Sequence, residues 1–168
     1  MTEIQEKANT IPQELSIAEI RKYTKEAAPL IHCITNPISI HDCANIILAA
    51  GARPIMAEHP AEVAEITAVA SALMLNLGNI TDARIESIQR ALKEANRRKI
   101  PVLLDLVGVT CSSLRREFAR KLLADGRFAV IKGNISEILA AADLPFHGTG
   151  IDAGSQDAIS QANEARYC

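Results

Sequence analysis

Charged side chains follow two short apolar runs in the middle of the chain. Residues 101–104 lead to Asp105, and residues 128–131 lead to Lys132, with Glu137 shortly after. If both runs are strands of a parallel sheet, their ends open onto the carboxyl edge, where open α/β folds bind ligands. Two carboxylates and a lysine at that edge would suit a magnesium ion and a polyphosphate, since Mg²⁺ prefers oxygen ligands and lysine offers a point charge.

The same residues also have purely structural interpretations, which the local pattern leaves open. Asn134 and Glu137 have the spacing of a capping box, in which the first side chain caps a helix and the second binds back to the cap. Asp105 could simply accept hydrogen bonds from the loop that follows it. The rest of the chain must therefore decide between a ligand site and local capping.

The composition indicates one aliphatic α/β domain. The chain has 168 residues, 48% of them hydrophobic and only 3% aromatic, with no tryptophan. This length suits a single domain spanning residues 1–168 with a core of Ala, Ile, Leu and Val. A net charge of −2 gives no broad attraction to nucleic acid or to an anionic membrane.

Neither the N-terminus nor the cysteines indicate export. The first ten residues are polar, unlike a secretory signal, and no window approaches the length of an uncharged membrane span. The cysteines have no zinc-type spacing, so reduced thiols in the cytoplasm are expected. They are Cys33, Cys43, Cys111 and Cys168.

Five apolar runs alternate with helical patterns, which is the signature of a parallel sheet with crossover helices. The helix predicted over residues 40–50 is apolar on nearly every side and is expected to be largely buried. Another helix is predicted from Pro60 to about Ala70, and a last one from about Gln156. The predicted strands lie near residues 29–34, 53–57, 72–77, 101–105 and 128–131.

Several motifs, in order and spacing, resemble the N-terminal half of hydroxyethylthiazole kinase. They occupy residues 32–36, 44–45, 51–57, 75–78, 104–109 and 131–137. The resemblance implies a three-layer, ribokinase-like α/β fold with a mostly parallel sheet, usually trimeric. It also implies phosphorylation of the hydroxyl of 4-methyl-5-(2-hydroxyethyl)thiazole in thiamine salvage, with ATP as co-substrate and Mg²⁺ as cofactor.

The resemblance also assigns roles to individual positions. It implies that Asn36 and Met56 bind the thiazole. It implies that Lys132 and Asn134 bind ATP, and that Asp105 and Glu137 bind the metal. Taken apart from the family, a methionine at a strand end is most often a core residue. Asn76, at another strand end, could simply hold a loop.

The chain departs from the family pattern in two ways. Leu106 replaces the usual proline and Thr110 replaces a glycine, changes that add an N–H group and disfavour a positive φ in the nucleotide loop. The family pattern also continues beyond Cys168. We therefore expect the chain to be the N-terminal portion of the family domain, with the catalytic residue outside it and activity impaired. The alternatives are a non-catalytic thiazole- or nucleotide-binding module and a structural remnant.

Other reactive side chains favour structural roles. The glycine motif at residues 148–152 resembles a phosphate loop, but it falls in a connector and is predicted to be flexible. The thiols at positions 33, 43 and 111 are expected to be buried rather than nucleophilic. His32 is expected to be structural, as are the three other histidines.

Overall fold

The computed structural model describes residues 15–148 and 152–154. Within these residues the strands form one parallel sheet in the order β2-β1-β3-β4-β5. The order reverses between β1 and β3, and such a switch point opens a crevice at the carboxyl edge of an open α/β sheet. The strands are β1 (Leu30–Ile34), β2 (Arg53–Ile55), β3 (Ala72–Asn76), β4 (Val102–Asp105) and β5 (Val130–Lys132).

Six helices connect and flank the described strands, so the predicted α/β class is confirmed. Several predicted helix ends are confirmed as well: Ser16 and Thr81 cap helix N-termini, and Gly51 ends a helix with a φ of 96°. The helices are α1 (Ile17–Ala27), α2 (Ile40–Ala50), α3 (Val63–Val69), α4 (Asp82–Arg98), α5 (Ser113–Asp125) and α6 (Ile135–Ala141).

Helix α3 is shorter than its sequence predicts. It begins at Val63 rather than at Pro60, because the preceding residues form a turn around His59. The His59 carbonyl accepts hydrogen bonds from the N–H groups of Glu62 and Val63, and the His59 ring accepts one from Ala61. These local bonds replace the first helical turn. The final predicted helix, from about Gln156, lies outside the described residues.

One face of the sheet carries the main core. Alternate strand residues such as Leu73, Leu75 and Leu104 are buried, and α4 packs Ile88 and Leu92 into the same cluster. The cluster is almost wholly aliphatic, as the composition predicts. Helices α3, α5 and α6 contribute further members of the cluster, which are Val63, Phe118, Ala119, Leu122, Ala140 and Ala141.

The opposite face is much less covered. Helix α2 has no buried residue, and Ile46 and Leu48 are 69% and 56% exposed, so the expectation of a largely buried α2 is wrong for this part of the chain. The reason is its position: its main contacts are with the outer strand β2 and with α1. An open apolar depression remains beside α2, lined by Ile31, Ile47, Met74, Leu103 and Val130, among others. No helix of the described chain is long and apolar enough to cross a membrane.

Candidate active site

Strand register aligns three polar residues at the carboxyl edge of the sheet. Asn76 ends β3 and is paired with Asp105, which ends β4, and Asp105 is paired with Lys132, which ends β5. Paired residues of neighbouring strands point to the same face. The structure therefore brings Asp105 and Lys132 together, as the sequence predicts, and places Asn76 on the other side of Asp105.

Hydrogen bonds connect four side chains across four of the strands; we call Asn36, Asn76, Asp105 and Lys132 the edge chain. The Asn36 Nδ2 group donates to Asn76 Oδ1 at 3.1 Å, and Asn76 Nδ2 donates to Asp105 Oδ2 at 3.2 Å. Lys132 Nζ donates to the same Asp105 oxygen at 3.2 Å. The edge chain runs without a break from the end of β1 to the end of β5.

Asn36 and Asn76 meet at the switch point and also hold their own loops. Asn36 Oδ1 accepts the backbone N–H groups of Ile38 and Ser39, and Asn76 Oδ1 accepts that of Gly78 at 2.9 Å. A Cβ at Gly78 would lie 2.9 Å from Asn76 Oδ1 and 3.0 Å from Asn36 Nδ2. Glycine is therefore required for the two amides to meet, and the structural role considered for Asn76 is confirmed.

Glu137 is a buried carboxylate that joins two loops. Its Oε2 atom accepts the N–H of Asn134 at 2.9 Å, completing the predicted capping box at the start of α6. Its Oε1 atom accepts the N–H of Gly108 at 2.8 Å, in the loop after β4. Glu137 is 3% exposed. The carboxylate thus fixes the position of the glycine loop relative to the β5–α6 corner.

The donor chemistry of the two carboxylates is compatible with a magnesium ion held mainly by water and phosphate. Each oxygen of Glu137 accepts one of the N–H bonds just described, and a carboxylate offers about four lone-pair sites, so acceptor capacity remains. Asp105 Oδ1 likewise accepts the N–H of Val107 at 3.1 Å. The described residues contain no group of three or more His, Cys, Asp or Glu suited to a metal. One or two carboxylates are what Mg²⁺ uses when nucleotide phosphates supply further ligands.

Lys132 is the solvent-exposed partner of Asp105. Its side chain is 64% exposed, whereas that of Asp105 is 12% exposed. Only the Lys132 end of the pair is exposed, so its ammonium is accessible to an anion from solvent, while the buried Asp105 also accepts hydrogen bonds from Asn76 and Val107. Lys132 can therefore serve an anion at this edge without dismantling the sheet.

The two departures from the family pattern fit this backbone. The N–H group that Leu106 has and proline lacks donates to the Lys132 carbonyl at 2.8 Å, which continues the pairing of β4 with β5. Thr110 is absent from the residues with positive φ, so its side chain meets no left-handed strain. Gly108 is the loop residue with a positive φ, of 75°. A Cβ there would also collide with the guanidinium of Arg115.

The second candidate substrate residue, Met56, lies just after β2 and is half-buried. The segment Met56–Glu58 is no longer paired in the sheet, because the register of β1 with β2 ends at Ile55. Side chains hold it instead. His32 Nε2 lies 2.8 Å from the Ala57 carbonyl, and the Ser87 hydroxyl donates to the Glu58 carbonyl at 2.7 Å.

A buried arginine lies behind this segment. Arg84 Nη1 donates to the carbonyls of Gly78 and Asn79, and its Nε lies 3.6 Å from Glu58 Oε2. Arg84 is 5% exposed, and its burial lowers the pKa of the guanidinium. It therefore ties the loop after β3 to the one after β2.

Sequence reasoning missed the positions of Arg84 and Arg115 and the contact made by His32. A periodic helix pattern gives no reason to single out one arginine in its first turn. His32 lies in a strand, where alternation predicts its burial but not its partner. Only the packing of α3 and the β2 loop against β1 identifies that partner.

The remaining predicted side chains do not join the edge chain. Cys33 is buried and Cys43 is half-buried, but Cys111 is exposed, which corrects the expectation that all three thiols are buried. Within the glycine motif of residues 148–152, only Gly148 and Asp152 are described. Gly148 packs against Ser136, whose hydroxyl accepts the N–H of Gly154 at 2.8 Å. Gly148 and Gly154 therefore lie against the start of α6.

Comparison with known proteins decides the family. The model of the hydroxyethylthiazole kinase family matches residues 21–166. The chain belongs to the hydroxyethylthiazole kinase family. It is 54% identical over 145 residues to hydroxyethylthiazole kinase 2 of Clostridium botulinum strain 657, covering 86% of this chain and 55% of that protein. It is 43% identical over 143 residues to hydroxyethylthiazole kinase of Alkaliphilus metalliredigens, covering 85% of this chain and 52% of that protein.

A solved structure supports the same assignment. Hydroxyethylthiazole kinase protein from Pyrococcus horikoshii OT3 superposes with a TM-score of 0.71 and 34% identity, covering 74% of this chain and 49% of that one. The chain thus spans about half the length of the hydroxyethylthiazole kinases it matches. The ribokinase-like architecture that the sequence predicts agrees with this neighbour.

Proposed function

We propose that this protein takes part in the phosphorylation of 4-methyl-5-(2-hydroxyethyl)thiazole on its hydroxyl group, with ATP as phosphate donor and Mg²⁺ as cofactor. The edge chain is the observation that carries the proposal. It joins an amide pair at the switch point to a lysine–carboxylate pair on the next two strands, β4 and β5, along one edge of the sheet. Membership of the family supplies the identity of the reaction.

The β4–β5 end of the edge is the proposed nucleotide end. Asp105 and Glu137 would hold Mg²⁺, and Lys132 and Asn134 would bind ATP, with the exposed Lys132 ammonium reaching the phosphates. When bound, Mg²⁺ neutralises phosphate charge during transfer. The protein's own contribution is to hold these carboxylates still through loop N–H groups.

The β1–β2 end is the proposed thiazole end. Asn36 lies at the switch point, and Met56 follows the neighbouring strand. A thioether is polarizable and packs well against an aromatic ring, which suits a thiazole. The half-buried state of Met56 leaves part of its surface for such a contact.

Assembly, domain organisation and location form part of the proposal. Residues 1–168 would be one α/β domain that corresponds to the N-terminal portion of the family domain. The complete protein would be a homotrimer, as the family resemblance implies. A kinase that consumes ATP in thiamine salvage would work in the cytoplasm.

Metal-dependent nucleotide binding tests the nucleotide end directly. Isothermal titration calorimetry with a non-hydrolysable ATP analogue should show tighter binding with Mg²⁺ than without it. Mg²⁺ raises the affinity for the analogue by some factor in the wild type, and in Asp105→Asn this factor should be at least about tenfold smaller. The reason is that a neutral amide is a poorer ligand for a hard cation. Asp125→Asn is the matched control, because Asp125 is an exposed carboxylate at the far end of α5. If Mg²⁺ raises the affinity of Asp105→Asn for the analogue as much as that of the wild type, Asp105 is not a ligand of the metal.

Binding without turnover is a second candidate function. Both carboxylates already accept loop N–H groups, an arrangement that can hold loops as well as a cation. The chain also spans 55% of its C. botulinum relative. We propose that residues 1–168 alone turn over poorly, and a coupled assay of thiazole-dependent ADP release separates the two functions. Turnover by the purified chain would exclude the binding-only candidate.

A further inference from the structure

His32 has two well-defined hydrogen-bond partners from different parts of the chain. It is fully buried in β1, with Nδ1 2.8 Å from the Thr67 hydroxyl of α3 and Nε2 2.8 Å from the Ala57 carbonyl. A carbonyl oxygen only accepts hydrogen bonds, so Nε2 must carry a proton and donate it. In the neutral ring Nδ1 then accepts the Thr67 hydroxyl. The contacts therefore select one tautomer, and burial lowers the pKa of the ring, which favours the neutral form.

The carbonyl that His32 holds belongs to the residue next to Met56. Sheet pairing ends at Ile55, so this hydrogen bond is the first cross-connection to the backbone beyond β2. Losing it would leave a carbonyl without its partner and let the 56–58 segment shift. Among the described residues, the segment is also held at Glu58, whose carbonyl accepts the Ser87 hydroxyl and whose carboxylate lies 3.6 Å from Arg84 Nε.

We propose that His32 is a positioning residue for the thiazole pocket, which it serves by fixing the backbone at Ala57 and with it the side chain of Met56. It does not touch the substrate in this assignment. The link from Met56 to thiazole rests on the proposed function, whereas the link from His32 to Met56 rests on the contacts of the chain itself.

Three conservative variants separate positioning from general packing. In His32→Gln the amide nitrogen replaces Nε2 and keeps the bond to Ala57. In His32→Asn the shorter side chain keeps an acceptor for Thr67 but loses the bond to Ala57. Thr67→Val removes the other bond and leaves the shape of the site almost unchanged.

The chemical shift of the Met56 methyl group, measured by NMR, shows whether Met56 changes its surroundings in each variant. The chain has three methionines, so selective ¹³C-methyl labelling gives three signals. Met74 is the internal control, because it is paired with Cys33 on the opposite face from His32. We expect the Met56 methyl signal to move in His32→Asn and to stay in place in His32→Gln and Thr67→Val. An unmoved Met56 signal in His32→Asn would overturn the proposal, as would equal movement in all three variants.

The tautomer provides a test that needs no variant. A long-range ¹H–¹⁵N spectrum of the four histidines should show His32 protonated on Nε2 and not on Nδ1 at neutral pH. Protonation on Nδ1 alone would overturn the assignment, because Nε2 could then not donate to Ala57.

Thiazole titration distinguishes failure of this inference from failure of the proposed function. The wild-type Met56 methyl signal should shift when 4-methyl-5-(2-hydroxyethyl)thiazole is added. The dissociation constant should rise about tenfold in His32→Asn, as expected for one lost hydrogen bond, and remain near the wild-type value in His32→Gln. Absence of any wild-type shift would count against the thiazole site, while the variant spectra would still decide whether His32 positions Met56. Equal affinity in wild type and His32→Asn would overturn the role of His32 in the pocket.

Discussion

The carboxylate of Asp105 serves three donors at once: the N–H of Val107, the amide of Asn76 and the ammonium of Lys132. It therefore both caps the loop after β4 and joins Asn76 to Lys132 within the edge chain. The structural and functional interpretations of this residue are compatible, because a carboxylate has more acceptor sites than one loop uses. The same holds for Glu137, whose capping box leaves its second oxygen to bind Gly108.

At the scale of single residues, burial of His32 makes stability depend on pH. Its pKa is lowered in the folded protein because the ring is desolvated, so below about pH 6.5 the unfolded chain takes up the proton more readily. The contribution of His32 to the free energy of unfolding should therefore be constant above pH 6.5. Below that pH the free energy of unfolding should fall, with a slope of up to about 1.4 kcal/mol per pH unit from this group. Urea unfolding at several pH values should show that His32→Gln has a shallower fall than wild type. Parallel curves would show that His32 does not titrate in this way.

Cysteine reactivity should differ between two positions. Burial, together with the nearby Cys43, raises the pKa of the Cys33 thiol to about 12, whereas Cys111 is exposed. Since the thiolate is the reactive form, iodoacetamide at pH 8 should label Cys111 quickly and Cys33 only after unfolding. Peptide mass spectrometry over time measures both rates. Rapid labelling of Cys33 in the folded protein would contradict its burial.

At the scale of elements, the loop between β4 and α5 depends on one glycine. Gly108 has a φ of 75°, and a side chain there would also meet Arg115. Gly108→Ala should lower the free energy of unfolding by about 1–2 kcal/mol, because alanine disfavours left-handed backbone, whereas the flexible end of Arg115 can move aside. The substitution would also disturb the Gly108 bond to Glu137, and with it the proposed metal site.

Gly133→Ala is the matched control for this loop. Gly133 also precedes Glu137 but has no positive φ, and an added Cβ would lie 3.2 Å from Glu137 Cβ. We expect a smaller loss of less than about 1 kcal/mol, within the range of mild crowding. The urea midpoints of Gly108→Ala and Gly133→Ala, each compared with the wild-type midpoint, measure the two losses of stability. Equal losses would show that backbone conformation at Gly108 is not the cause.

At the scale of the whole molecule, an apolar surface remains on the α2 face and along the outer strand β5. Ile46 is 69% exposed, and Val130 and Ile131 of β5 are 50% and 45% exposed. An outer strand also presents unpaired backbone groups, which favours association. We therefore expect the chain to self-associate at high concentration and the double change Val130→Lys with Ile131→Lys to reduce this.

Light scattering over a concentration series tests that expectation. Leu114→Lys is the control, since Leu114 is 54% exposed and the other large apolar side chains of α5 are at least partly buried. It should leave the apparent mass unchanged, because isolated surface leucines are ordinary. A wild-type chain that stays monomeric throughout would contradict the expectation, as would equal effects of both substitutions.

Local pattern by itself determined the order of the strands and helices and most of their ends. Ser16, Thr81 and Asn134 are recognisable caps because capping depends on neighbours a few residues away. The alignment of Asp105 with Lys132 was also predictable, since both end runs that read as parallel strands. The family resemblance, which depends on motif order, was confirmed over most of the chain.

Only the tertiary structure decided which distant side chains meet. The Asn36–Asn76 bond joins residues 40 positions apart, and His32 reaches Ala57 across 25. Such contacts depend on strand order and on how helices pack, and no local period encodes either. The exposure of α2 has the same origin: its apolar sequence favours burial, but what covers a helix is set by the layers around it.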